Sequence, residues 1–223
     1  MRLLLAAALV TCALVISPAG VWPVRAVPGA CPPICDAIPD SAWIVPTSIP
    51  LYPVYRWPGL ASLAVTASSP KFGFEALCDS PPLADDARSF VVGARSVVPN
   101  PAGQWNLAVQ VMHWRGDAVH SGPIASAILD SARPRLRACQ LTAPTASPSI
   151  TTDEPERIAA VISVAGEQVM HEYLLVHPAS STIVELAMWS TLPPAVDWPA
   201  VPDAQIFEAL IGPLCSAYIG SCR

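Results

Sequence analysis

The sequence predicts an α+β fold: a largely antiparallel sheet with helices packed on one face, supported by disulfides and preceded by a proline-rich N-terminal arm. Three observations carry that prediction. Several runs alternate apolar and polar side chains with period two, and two segments repeat apolar residues at helical spacing. The cysteines that remain behind an export leader are even in number, as a disulfide framework requires. Composition narrows the class further. With 26 prolines in 223 residues, an all-helical bundle is excluded, because each interior proline costs a helix about 3 kcal/mol. A chain that is 52% hydrophobic and 13% charged is no disordered polyelectrolyte. Twelve basic residues against 17 acidic ones, with a net charge of −5, argue against a nucleic-acid partner.

The N-terminus reads as an export leader. Arg2 precedes an apolar run from Leu3 to Ile16, shorter than the roughly 20 residues a bilayer span needs. Val24-Arg25-Ala26 satisfies the small-x-small cleavage rule, with Ser17-Pro18-Ala19 as the rival site, so residues 1–26 are expected to be a signal peptide. Pro28-Gly29-Ala30 before Cys31 resembles a lipobox only loosely. No later stretch is apolar and long enough to span a membrane. Removing the leader takes away Cys12, Arg2 and Arg25, which leaves six cysteines (Cys31, Cys35, Cys78, Cys139, Cys215 and Cys222) and a net charge of −7. Cys78 and Cys139, isolated in mid-chain, are expected to bridge. The four outer cysteines either pair locally or staple the arm to the C-terminal helix, and the staple is preferred, since a longer closed loop restricts the unfolded chain more. Their spacings do not match structural zinc sites.

Residues 27–60 contain eight prolines and no helical period. They are expected to form an extended arm lying on the domain of residues 61–223, anchored by Trp43, Tyr52 and Trp57. Leu60 to Ser68 reads as a short strand and Phe90 to Val98 as a second. Trp105 to Trp114 is the clearest strand, with Trp105, Leu107, Val109 and Val111 on one face and Asn106 and Gln110 on the other. A helix is expected from Pro123, a residue favoured at the first helical position, with Ile124, Ile128, Ala132 and Leu136 on its apolar stripe. Pro134 should kink or restart it. Residues 140–155, rich in Thr, Ser and Pro, read as a loop.

Residues 157–189 predict a three-strand meander. A two-residue turn at Gly166-Glu167 places Ile162 opposite His171 and Ala160 opposite Tyr173. A four-residue loop over 178–181 places Leu175 opposite Val184, Tyr173 opposite Leu186 and His171 opposite Met188. One face then holds Ile158, Ala160, Ile162, Val164, Val169, His171, Tyr173, Leu175, Val184, Leu186 and Met188, and is the core. The other holds Arg157, Ser163, Met170, Glu172, Glu185 and Trp189, and is expected to be open. A last helix, capped by Asp203, buries Ile206, Leu210, Leu214 and Ala217 or Tyr218, and stops at Gly220.

The strand ending near Asp117-Ala118, the helix closed by Cys139, the meander and the C-terminal helix resemble one exported family. These are small mycobacterial envelope proteins related to the extracellular sensor domain of PknH-type serine/threonine kinases. The likeness covers roughly residues 75–220. Leu136 stands in the stretch before the cysteine where the family often has tryptophan, and the arm and outer cysteines depart from its pattern. The resemblance implies an antiparallel sheet with a groove, disulfide support and ligand binding outside the cytoplasmic membrane, and no known reaction.

Motifs for chemistry are sparse. There is no P-loop and Lys71 is the only lysine; neither a G-x-S-x-G elbow nor H-E-x-x-H occurs. No cofactor is indicated. His113, Asp117 and His120 could approach a metal, but polar loop residues at a strand end are the simpler reading. His171 is expected to be a core histidine, and Asp85 and Asp86 a solvated helix start. Glu172 and Glu185 could act as paired carboxylates, though surface charge is the simpler reading. The expected function is therefore an exported cell-envelope or secreted protein of non-enzymatic type. It would bind a partner protein or a small amphipathic ligand through a groove or through the open face of Trp189, Met170, Glu172, Glu185 and Arg157. The alternative is an exported hydrolase with an unrecognised site.

Overall fold

The computed structural model describes residues 35–222; the expected leader, Cys31 and the first part of the arm lie outside the described residues. Seven antiparallel strands form one sheet, in the order β1-β2-β3-β7-β6-β5-β4. These are β1 (Val65–Thr66), β2 (Val92–Val98), β3 (Asn106–His113), β4 (Ala146–Glu154), β5 (Arg157–Val164), β6 (Gln168–His177) and β7 (Thr182–Thr191). The helices are α1 (Tyr52–Tyr55), α2 (Gly73–Leu77), α3 (Ala118–Arg137), α4 (Cys139–Thr142) and α5 (Asp203–Ala217). The α+β class, the antiparallel sheet and the disulfide support are as the sequence predicts.

The helices do not keep to one face. Trp105, Leu107, Val109, Tyr173, Leu186 and Met188 pack with Ile206, Phe207, Leu210 and Leu214 of α5. Met112, Leu174, Val176 and Ile183, on the opposite face, pack with Ala125, Leu129, Ala132 and Leu136 of α3 and with Phe74 of α2. The molecule is thus three layers, with the sheet in the middle, and each fully buried Leu, Phe or Met contributes about 1.5–3 kcal/mol. The arm belongs to the first core. Trp43, Ile44, Ile49, Leu51 and Trp57 are buried in the same cluster as α5, and the backbone there turns through short 3-10 helices at Asp40–Ala42 and Pro46–Ser48 instead of running extended. Trp57 Nε1 donates to the Pro50 carbonyl at 2.7 Å, so its polar edge is satisfied inside the core.

Several elements differ from their expected limits. The strand foreseen from Leu60 shrinks to β1, because Leu60–Leu63 forms a 3-10 turn. Helix α3 begins five residues before Pro123, where the Asp117 side chain accepts from the His120 N–H and caps it. Its buried stripe is Ala125, Ile128, Leu129, Ala132 and Leu136, while Ile124 is 39% exposed. Pro134 lies within α3, and the chain restarts as α4 only at Cys139. Helix α3 rides close to the β6–β7 turn at Gly122, where a Cβ would sit 2.6 Å from the Pro178 carbonyl oxygen. The Ser/Thr/Pro segment expected as a loop is the edge strand β4. Pro148 is tolerated there, and a register shift falls between Ile150 and Thr152.

The meander registers divide. Leu175 faces Val184, Tyr173 faces Leu186 and His171 faces Met188, as the four-residue loop predicts. Between β5 and β6, however, Ile162 faces Met170 and Ala160 faces Glu172. Ala165 and Gly166 both adopt positive φ, of 36° and 77°, and Val164 pairs with Gln168, so the loop holds three residues. That one-residue slip turns β5 over. Ile158, Ala160 and Ile162 join the α3 face, and Ala159 joins the α5 face.

The Cys78–Cys139 bridge is present at 2.01 Å and ties the residue after α2 to the start of α4. Cys215 pairs with Cys222, which overturns the preferred staple between arm and C-terminal helix: the last turn of α5 and the reversal at Gly220 bring these two sulfurs together locally. Cys35 is also disulfide-bonded. No helix among the described residues is long and apolar enough to cross a membrane.

Candidate functional site

The face expected to be open is closed. Met170, Glu172 and Glu185 are buried, Trp189 is half-buried against the α3 layer, and the covering comes from α2 and α3, not from the arm. Arg157 is not with them: its guanidinium lies 5.5 Å from the Phe207 ring, on the α5 side, and pairs with Glu154 at 2.7 Å. The reason is that both faces of β6 and β7 are core. Leu174, Val176, Ile183 and Ala187 share the side that carries the two glutamates.

Glu172 and Glu185 lie on adjacent strands, each 1% exposed. The Gly73 N–H at the start of α2 donates to Glu185 Oε1, and a Cβ on Gly73 would lie 3.3 Å from Glu172 Oε2 and 3.4 Å from Glu185 Oε1. If both groups were ionised, Glu172 Oε1 and Oε2 and Glu185 Oε2 would have no donor. Burial, reinforced by the neighbouring Glu185 charge, holds the Glu172 carboxyl well above the usual range. Burial also raises Glu185, though its hydrogen bonds from Glu172 and Gly73 and the Arg95 charge oppose this. Glu172 therefore keeps its proton and shares it with Glu185. A second ion network lies alongside. Glu75 accepts from Arg88 at 2.7 and 3.1 Å and from Arg135, and Asp86 holds the other side of Arg88. These groups dock α2 on α3 and the sheet, and the two carboxyls are closed off from the surface.

The histidines are committed elsewhere. His171 stacks on Trp198 at 3.6 Å and meets Trp105 edge-on, and burial pushes its pKa down to about 4. It is a core histidine, as expected. Asp117 and His120 pair with each other at 2.8 Å on the surface, whereas His113 turns inward to the Ser180 carbonyl and Thr182 Oγ1 and stacks on Tyr218. The three expected metal candidates are not brought together. A cavity of about 220 Å³ at this end of the sheet is lined by His113, Asp117, Ser180, Ser181 and Tyr218. Two of these groups serve the turn and the cap: Ser180 Oγ donates to the His177 carbonyl, and Asp117 caps α3.

A groove of about 780 Å³ lies between residues 40–62 and α5. Its apolar wall is Trp43, Ile44, Val45, Pro46 and Leu60 from the arm and Ala209 and Pro213 from α5. Asp40, Glu208, Ser41, Ser48, Ser62 and Ser216 supply its polar lining, and no basic side chain among the described residues takes part. The groove stays open because small residues face it. Neither Gly59 nor Gly212 has an atom within 4 Å of where its Cβ would stand, and α5 presents Ala209, Gly212 and Ser216 on this side. Its size falls within the range of small-molecule sites, about 300–1,000 Å³. Sequence reasoning missed these residues: the groove joins segments some 150 residues apart, and the one available signal was the cluster of apolar residues in the arm beside a helix face of small side chains.

No family model and no curated protein matches the chain.

Proposed function

We propose that the protein is an exported cell-envelope or secreted binding protein of non-enzymatic type, and that the groove between the arm and α5 holds a small amphipathic ligand. The groove itself carries this reading: an apolar wall from Trp43 to Pro46, with Asp40 and Glu208 as its charged members. That pairing of apolar surface with acidic groups and no cation suits a ligand whose apolar part lies along the wall and whose polar end is cationic or neutral. Disulfides are compatible with an oxidising compartment, and the leader over residues 1–26 supplies the route. Kinship with envelope proteins resembling PknH-type sensor domains belongs to the same proposal; the mid-chain cysteine bridge and the meander support it.

Trp43 lies in the groove wall, so tryptophan fluorescence reports occupancy. Alkyltrimethylammonium and alkyl sulfate probes of equal chain length, titrated below their micellar concentrations, should differ, with saturable binding of the cation only. Ala209→Trp, which fills the groove, should abolish binding without lowering the melting temperature. Equal binding of both probes, or binding unaffected by the tryptophan, rejects the site. Mass spectrometry of protein recovered outside the producing cell should find Val27 as the first residue, and retention of Met1 rejects export.

A further inference from the structure

We propose that opening the Cys215–Cys222 disulfide turns the corner between α5 and the end of β6 into a binding site for a zinc-like divalent metal ion, with His177 Nε2 as its third ligand. Among the described residues this is the only group of three or more His, Cys, Asp or Glu side chains whose ligand atoms all lie within 4.8 Å of one another. His177 Nε2 already stands 3.7 Å from Cys222 Sγ. In a tetrahedral zinc site with bonds of about 2.3 Å to sulfur and 2.0–2.1 Å to nitrogen, those two ligands lie about 3.6 Å apart. The sulfurs must part to about 3.8 Å in the same geometry, with Cys215 Sγ settling at a similar distance from Nε2, and Cys222 sits on an exposed turn after α5, with Ile219 and Gly220 also exposed.

Ser180 also stands where it can orient the histidine as a ligand. Its Oγ lies 2.8 Å from His177 Nδ1 and 3.2 Å from the His177 carbonyl. In the metal-bound form Nδ1–H donates to this oxygen while the hydroxyl donates to the carbonyl, and the Nε2 lone pair faces Cys222. A second hydrogen bond that orients a histidine ligand through its other nitrogen is a regular part of metal sites, and removing it costs about 10–100-fold in affinity.

The bridge is also the accessible one of the two fully described pairs. Cys222 is exposed, whereas Cys78 and Cys139 are 0% exposed. A thiolate of a dithiol reductant attacks the Cys222 sulfur and expels the Cys215 thiolate. The reductant's second thiol then resolves the mixed disulfide. In total the protein disulfide gains two electrons and two protons and becomes two thiols, and the reductant becomes a cyclic disulfide. Binding the metal ion releases the two thiol protons, so two thiolates and a neutral imidazole hold the dication. The chain supplies three ligands, and water takes the fourth position. The site exists only in the reduced protein, so metal binding is gated by redox state.

The test uses the full mature chain. Limited dithiothreitol treatment, removal of the reductant without oxygen, and thiol mapping by mass spectrometry should place new thiols at Cys215 and Cys222 while Cys78–Cys139 stays closed. Cobalt(II) added to this form should bind at one equivalent, with thiolate-to-cobalt charge-transfer absorption and tetrahedral d–d bands, and zinc(II) should displace it. The oxidised protein should show neither. His177→Ala and the size-matched His177→Gln should each weaken cobalt binding at least tenfold, and Ser180→Ala should weaken it less, with circular dichroism confirming that each variant is folded. The proposal is overturned by a reduced protein without stoichiometric cobalt absorption, or by affinity unchanged in the folded His177 variants. The same spectrum in a Cys215→Ser, Cys222→Ser double variant also overturns it.

Discussion

Replacing Glu172 with glutamine makes the stability of this protein respond to pH in a calculable way. Glu172 is 1% exposed, and its carboxyl is held above the ordinary value of 4.5, first by burial and then by the Glu185 charge. The folded chain thus keeps a proton that the unfolded chain gives up above pH 4.5. Stabilisation from that proton is complete below 4.5 and is lost as pH rises to the folded pKa, at a limiting slope of about 1.4 kcal/mol per pH unit. Glutamine cannot ionise, and its amide can still donate to Glu185, so Glu172→Gln escapes the loss. His171 and His177, both lowered by burial, act in the opposite sense: they favour the fold above about pH 6.5 and withdraw that support as pH falls. They are common to both proteins and cancel in the difference. Urea unfolding at half-unit steps from pH 4.5 to 8 should therefore show the variant gaining on the wild type as pH rises, near the limiting slope at first, then levelling off. Parallel profiles, or a variant that loses ground with rising pH, would mean that Glu172 is ionised in the fold and that the shared proton is wrong.

Three further outcomes are expected. Removing the Cys78–Cys139 bridge by paired alanine substitution opens a loop with a sequence separation of 61 and should lower stability by about 4 kcal/mol in denaturant titration; a loss below 1 kcal/mol would show that the loop is confined without it. Leu129→Ala, at a fully buried position in α3, should cost about 2–5 kcal/mol, and a surface-like loss would mean that α3 does not cover the sheet. Gly122→Ala meets the Pro178 carbonyl and should cost about 1–3 kcal/mol, whereas Gly212→Ala, with open space around it, should leave the melting temperature unchanged or raise it.

What could be read in the sequence was local. The alternation through Trp105 to Val111 marks β3 and its α5-facing side, and the loop over Pro178 to Ser181 sets the β6–β7 register. The β5 register was not legible, because Ala165 joins Gly166 at positive φ, which an L-alanine rarely does. Nor was the burial of Glu172 and Glu185 read, although a signal was available. Tyr173-Leu174-Leu175-Val176 and Ile183-Val184 are continuous apolar runs, the mark of strands covered on both faces. Two facing glutamates can lie within such a covered face when they share one proton. The groove depends on Trp43 to Leu60 meeting Glu208 to Ser216, a tertiary encounter that no periodicity encodes.

The order of the strands has a consequence for how the chain is assembled. Strand β7 occupies the middle of the sheet, between β3 and β6, and its far partner is distant in sequence: the Asn106 side chain donates to the Trp189 carbonyl across 83 positions. During synthesis β1–β3 and β4–β6 can each pair as soon as they emerge, but each leaves one inner edge bare until the strand that completes both arrives. Until then the growing chain carries two unpaired, strongly apolar strand edges, the kind of surface on which chains join one another. Closure through so long a loop is also slow. The hazard of this architecture therefore lies in the interval before residue 191 is available.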